Sequence, residues 1–238
     1  VATRLYFHAA LSTVSGTLPT TEQSTNTSDK NGDAQSVNRS MNTTIGTSQT
    51  SILIASNSTT SAQAYYFTKF VSRPLNQTGI TAQTWTLNYA AEEELSSSQF
   101  PAAGSGDETY VNLYVWNPTN GTKRGTIFDG DSNPDANEGS AGEEISVHTT
   151  FSGSAVSSAA VGDVIIYEVW NEITQSSSSS GDLIWYYDGT TVNTSNGSTV
   201  SNHASFLETP QTIAFQPDTI TMTQVSAKTY SNKFITKV

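Results

Sequence analysis

The chain has 238 residues, with 21 acidic against 10 basic side chains, a formal net charge of −11 and a charged fraction of only 13%. Phosphate binding needs clustered Lys and Arg, so this balance argues against nucleic acid as a partner and equally against an anionic membrane surface. The chain has no cysteine, which excludes disulfides, thiolate zinc sites and cysteine nucleophiles. No apolar run approaches the roughly 18–20 residues of a membrane-spanning helix, so membrane insertion is not expected.

The first residue is Val1 rather than Met, from which loss of an initiator methionine or of a longer leader is expected. Eleven short alternating or β-branched runs then follow, separated by clusters of Gly, Pro, Asn, Asp and Ser. In chain order they are TRLYFH (3–8), TSILIAS (50–56), AYYFTKFVS (64–72), TWTLNYA (84–90), YVNLYVW (110–116), RGTIFDG (124–130), EISVHTTF (144–151), DVIIYEVW (163–170), DLIWYYDG (182–189), QTIAF (211–215) and TITMTQV (219–225). No stretch carries an apolar period of 3.6 residues, and NYAAEEELSSSQF (88–100), the one segment of helical composition, is short and acidic. The expectation is an all-β chain: an antiparallel β-sandwich, jelly-roll-like, forming one domain over 1–238. Residues 11–62 stand apart as a Ser/Thr/Asn-rich segment, and residues 218–238 as a basic tail.

Two runs fix a register. Val111, Leu113 and Val115 share one face of their strand, and Asn112, Tyr114 and Trp116 share the other. Asn120-Gly121 follows directly and predicts a hairpin to the run that holds Ile127 and Phe128. In 164–170 both faces are largely apolar, which predicts a central strand buried on both sides or at a subunit contact, with Glu168 on it.

The stretch DGDSNPDANEG (129–139) places Asp or Asn at every second position. Counted as an EF-hand from Asp129, it has Pro134 where Gly is required and Ser140 where a bidentate Glu is required. A looser calcium site from Asp129, Asp131, Asn133 and Asp135 is the alternative to a polar strand connection. The connection is the preferred reading, so no cofactor is expected, with Ca²⁺ as the one candidate ion.

Other chemistry is sparse. His8, His148 and His203 have no ligand spacing and would form a zinc trio only if the fold gathered them. Glycoside hydrolysis would need Glu168 to face Glu92, Glu93 or Glu94 across a cleft. Tyr65, Tyr66, Trp85, Trp116, Trp170, Trp185, Tyr186 and Tyr187 could stack on a glycan, but without disulfides most are expected to fill the core. No catalytic residue is assigned, and the chain is expected not to be an enzyme. Asn-X-Ser/Thr sequons stand at Asn26, Asn38, Asn42, Asn57, Asn76, Asn120, Asn193 and Asn196, each a glycosylation candidate if the compartment permits.

Four stretches, Phe70 to Leu75, Trp85 to Glu92, Tyr110 to Ile127 and Gly162 to Trp170, together with YYDGTTVNTSNGSTVSNHASFLETPQTIAF (186–215), carry a resemblance. The pattern is similar to a poorly characterised family of β-sandwich proteins from tailed phages, prophages and archaeal or environmental contigs, found among virion structural genes. It spans about 64–215 and brings no catalytic residues. The resemblance implies a virion or cell-surface structural protein, such as a capsid decoration or tail-associated subunit, with copies of itself and other surface subunits as partners. A subunit of an extracellular filament and a carbohydrate-binding module are the alternatives. The basic tail on an acidic body is the expected assembly element, through Lys228, Lys233, Phe234, Ile235 and Lys237.

Overall fold

The computed structural model describes residues 2–21, 23, 37–55, 63–93, 107–131, 144–173 and 182–217. Among them are eleven strands and no helix. The strands are β1 (Thr3–Leu11), β2 (Asn38–Asn42), β3 (Thr50–Ala55), β4 (Gln63–Ser72), β5 (Gln83–Glu93) and β6 (Asp107–Asn117), followed by β7 (Thr122–Asp131), β8 (Ile145–Gly153), β9 (Val164–Ile173), β10 (Asp182–Tyr187) and β11 (Phe206–Thr209). They join in the order β3-β10-β5-β11-β1-β2-β4-β9-β6-β7, with β8 on the remaining side of β5. All strand pairs are antiparallel except β2 with β4, which is parallel, so the expected all-β, antiparallel sandwich is present with one parallel pair in it.

This one sheet folds over on itself into a sandwich. Strands β2, β4, β9, β6 and β7 make one layer (layer I), and β8, β5, β11, β10 and β3 make the other (layer II). Strand β1 crosses between them: residues 3–6 pair with β11, whereas Tyr6, Phe7 and Leu11 pair with β2 through an irregular register. A strand that changes sheets forms a corner of the sandwich. On the opposite side β7 and β8 approach each other, with the Ser154 N–H donating to the Ile127 carbonyl at 2.6 Å and Phe128 against Phe151 at 4.5 Å between centroids.

Between the layers lies an aromatic core. Phe7 from β1 touches Phe70, Tyr167 and Trp185 at centroid distances of 4.6, 5.2 and 5.5 Å. Val111, Leu113 and Val115 point into it, as do Ile165, Tyr167 and Val169, which matches the register read from sequence. All four tryptophans are buried. Trp85 leaves so little room that a Cβ on Gly153 would sit 2.6 Å from its ring.

The predicted hairpin joins β6 to β7 in antiparallel register. Gly121 there has φ +64°, the left-handed region where lack of a Cβ removes the strain. Asn117 organises the turn as much as Asn120 does, since its side-chain oxygen accepts the N–H groups of Thr119 and Asn120.

Two elements were not anticipated. Strand β2 is polar, with only Met41 fully buried in it, and β11 is four residues long. Conversely, the run at 211–215 is no strand. Its Ile213 N–H donates to the Thr3 hydroxyl and its Ala214 N–H to the Gln77 side chain, which leaves a single bridge, Phe215 to Leu75. The run at 219–225 lies outside the described residues.

Candidate functional site

The outer face of layer I, which a two-layer sandwich would normally leave to solvent, is buried and contains the most elaborate polar cluster among the described residues. Strand alternation puts Glu168 on this face because its neighbours Tyr167 and Val169 point into the core. Directly opposite Glu168 stand Lys69 on β4 and Asn112 on β6, and opposite Asn112 stands Asp129 on β7. A polar row thus crosses four strands. Glu168 and Asn112 are fully buried and Lys69 is 1% exposed. Aromatic and aliphatic groups flank the row: Tyr66, Tyr110 and Trp170 on one side, and Val71, Tyr114, Trp116, Val164 and Ile166 on the other.

The cover is a strap from the polar N-terminal segment, residues 12–21 and 23. Val14 and Leu18 pack on the aliphatic group, and the rest is held by polar contacts. Trp116 donates its indole N–H to the Thr17 carbonyl at 2.7 Å. The Thr17 N–H donates to the Pro118 carbonyl at 2.7 Å. Lys69 donates Nζ to the Thr21 carbonyl at 2.8 Å and the Pro19 carbonyl at 3.4 Å, while Lys123 donates to the Gln23 carbonyl at 3.0 Å. Gly16 has φ +114°, and a Cβ there would lie 2.5 Å from the Pro118 oxygen.

Glu168 closes the cluster. Its carboxylate accepts the Gln23 backbone N–H at 2.9 and 3.1 Å, the Asn112 amide at 2.7 Å, the Tyr114 hydroxyl at 2.9 Å and, at a longer 3.4 Å, the Trp170 indole. Burial pushes its pKa above the ordinary carboxylate value, against the opposing pull of Lys69 and of these donors. Both oxygens are engaged from inside the protein, so the group clamps the strap to β6 and β9.

The other candidate residues are dispersed. Glu92 lies on β5, where Leu87, Tyr89 and Ala91 face the core, so it belongs to the outer face of layer II. It is therefore separated from Glu168 by the whole sandwich. It accepts the Tyr186 hydroxyl at 2.5 Å; burial, and after it this bond, raises the Tyr186 pKa. The carboxylate pair required for glycoside hydrolysis does not form between these two, and the side chains of Glu93 and Glu94 lie outside the described residues. The histidines form no trio. His8 contacts Asp188 at 3.0 Å, and His148 contacts Asn88 at 3.4 Å. His203 is fully buried, 3.1 Å from the Asn193 carbonyl and 3.3 Å from the Ser146 hydroxyl. Its pKa is lowered by burial.

Asp129 accepts the Tyr110 hydroxyl at 2.7 Å, and Asp131 ends β7 opposite Tyr110; Asn133 and Asp135 lie outside the described residues. No group of three or more potential metal ligands occurs among the described residues. The proposed glycan-stacking residues Tyr66, Trp85, Trp116, Trp170, Trp185 and Tyr187 are buried, and Tyr186 is half-buried. Among the sequons, Asn76, Asn120 and Asn196 are exposed, whereas Asn38, Asn42 and Asn193 are half-buried; Asn26 and Asn57 lie outside the described residues. So do the assembly candidates Lys228, Lys233, Phe234, Ile235 and Lys237.

No protein-family model matches the chain, and no curated protein does. Among solved structures, the infectious bursal disease virus Gx strain aligns with a TM-score of 0.31 at 11% identity, over 68% of this chain and 34% of that one. A CocE/NonD family hydrolase from Staphylococcus aureus aligns with a TM-score of 0.22 at 9% identity, over 71% of this chain and 32% of that one. The chain spans about a third of the length of each, and at these scores neither alignment defines a shared fold.

Proposed function

We propose that the chain is a non-enzymatic structural subunit exposed on a virion, a capsid decoration or tail-associated protein, that works by assembling with copies of itself and with other surface subunits. The observation that carries this reading is the use made of Glu168. The most deeply buried carboxylate on an apolar strand spends its acceptor capacity on Gln23, Asn112 and Tyr114, which fastens the strap and leaves no oxygen aimed at a substrate. Bodies that share a net negative charge repel one another, so contact between copies needs a source of attraction. The basic tail supplies the attraction, with Lys228, Lys233, Phe234, Ile235 and Lys237 contacting a neighbouring subunit.

A second reading, a subunit of an extracellular filament, is favoured by the placement of the chain's C-terminal exit. The Gln216 N–H donates to the Pro74 carbonyl at 2.7 Å, near the end of β4, whereas β3, β5 and β9 all finish at the other pole of the sandwich. Contacts between unlike poles propagate. A carbohydrate-binding module is disfavoured, because Trp85, Trp185 and Tyr187 fill the core and Tyr66, Trp116 and Trp170 are buried on the outer face of layer I.

Immunogold electron microscopy of material from the source culture tests the proposal. Gold on virus particles supports the first reading, and gold on cell-attached fibres supports the second. Label confined to diffuse soluble protein would overturn both. In the full chain, replacing Lys228, Lys233 and Lys237 together by Glu is expected to abolish assembly while leaving the β-sheet circular dichroism unchanged.

A further inference from the structure

A sheet that folds over on itself has two ends, and here each comes near a described strand of the other layer, β7 to β8 and β3 to β4, but only the β7 end is tied across by a main-chain hydrogen bond among the described residues. Strand β7 meets β8 through Ser154, Ile127, Phe128 and Phe151. At the other end β3 pairs with β10 alone, continuously from Thr50 opposite Tyr187 to Ala55 opposite Asp182. Among the described residues no strand pairs along its outer side. Sheet edges are ordinarily guarded by Lys, Pro or a bulge. Strand β3 has none of these: its register is unbroken, and no charged residue occurs between Arg39 and Lys69. Ile52 is buried and anchors the strand to the core, and Ser51 is exposed.

Building on the assembly reading above, we propose that the free edge of β3 accepts the C-terminal segment 218–238 of a second copy, added as a further β-strand in a head-to-tail contact. Three properties of the chain choose this occupant. The segment carries three lysines and one aspartate, whereas the remainder carries seven basic and twenty acidic residues. A tail with net positive charge is therefore drawn to a second, acidic body. Its run TITMTQV (219–225) alternates β-branched residues without a charge, which suits pairing by main-chain hydrogen bonds. The described chain reaches Pro217, two residues before that run, at the pole opposite the Ala55 end of β3. To pair along its own β3 as far as Ala55, the tail would first have to travel back along the sandwich, about ten residues at roughly 3.3 Å each to that far end. A neighbour stacked pole to pole brings an acceptor edge to the exit point, so the whole run is available to pair.

The absence of native cysteine allows a clean test in the full chain. One preparation carries Ser51→Cys; a second carries Thr219→Cys, Thr221→Cys or Thr223→Cys, one at a time. On mixing under mild oxidation, a disulfide-linked heterodimer is expected for at least one tail position, at ten-fold or greater excess over a Ser157→Cys control that also sits on an exposed residue. The edge-charging variant Ser51→Lys is expected to raise the concentration needed for assembly by ten-fold or more. Assembly that persists with no specific cross-link would overturn the acceptor assignment and leave the assembly reading intact. A full chain that stays monomeric at every concentration would instead refute the assembly reading itself.

Discussion

Replacing Glu168 by alanine would leave three hydrogen-bond donors and one lysine in an interior built around a carboxylate. The Asn112 amide, the Tyr114 hydroxyl and the Gln23 N–H each lose an acceptor, and a buried orphan donor costs about 1–3 kcal/mol. Lys69, 1% exposed and directly across the strand pair, loses its compensating charge; breaking a buried charge pair from one side costs about 3–5 kcal/mol. These penalties overlap, because relaxation of the strap would rehydrate several groups together. The expected loss for Glu168→Ala is therefore about 3–5 kcal/mol in all, and Lys69→Met should lose a comparable amount. The double variant Lys69→Met with Glu168→Ala removes both charges, so it should be more stable than the sum of the two single losses implies, by at least about 1.5 kcal/mol. Urea denaturation at pH 7, followed by tryptophan fluorescence, measures all four proteins. Single losses that simply add within about 0.5 kcal/mol would refute coupling between Lys69 and Glu168, and a loss below about 1 kcal/mol for Glu168→Ala would refute its role as the clamp.

The Glu168 pKa is raised in the folded protein, so the folded state holds that proton more tightly than the unfolded chain does. The parent should therefore lose stability relative to Glu168→Gln as pH rises from the ordinary carboxylate range through the raised value, which denaturation across that window measures. His203 behaves oppositely: burial lowers its pKa from 6.5, so its contribution is present above that value and fades as pH falls below it, a dependence that His203→Gln should remove. Gly16→Ala forces a Cβ against the Pro118 oxygen at a positive φ and should cost about 1–3 kcal/mol, with proteolysis focused on the strap. Calcium chelation should leave the melting temperature nearly unchanged, since the connection reading assigns 129–139 no ion; a large calcium-reversible loss would reverse that assignment.

Much of this architecture is legible along the chain, for a physical reason. Strands such as β6 and β9 bury both faces, so their side-chain alternation and apolar content are written in a few consecutive residues. Glu168 could be singled out in the same way, as one acid on an apolar strand. Its partners could not, because Gln23, Asn112 and Tyr114 lie 145, 56 and 54 residues away and are united only by strand pairing. Strand β2 escaped notice because its order comes from its neighbours, β1 antiparallel and β4 parallel, rather than from its own polar sequence. The run at 211–215 misled in the opposite direction. It has strand composition, but side chains of Thr3 and Gln77 capture the N–H groups that a ladder would use.

Sedimentation velocity of the purified full chain across a hundred-fold dilution, with negative-stain images of the same samples, tests the central claim most directly. The account predicts regular multimers that dissociate on dilution or at high salt, because a lysine-bearing tail on an acidic body is screened by ions. A single monomeric species of 25.4 kDa at every concentration and ionic strength would contradict it.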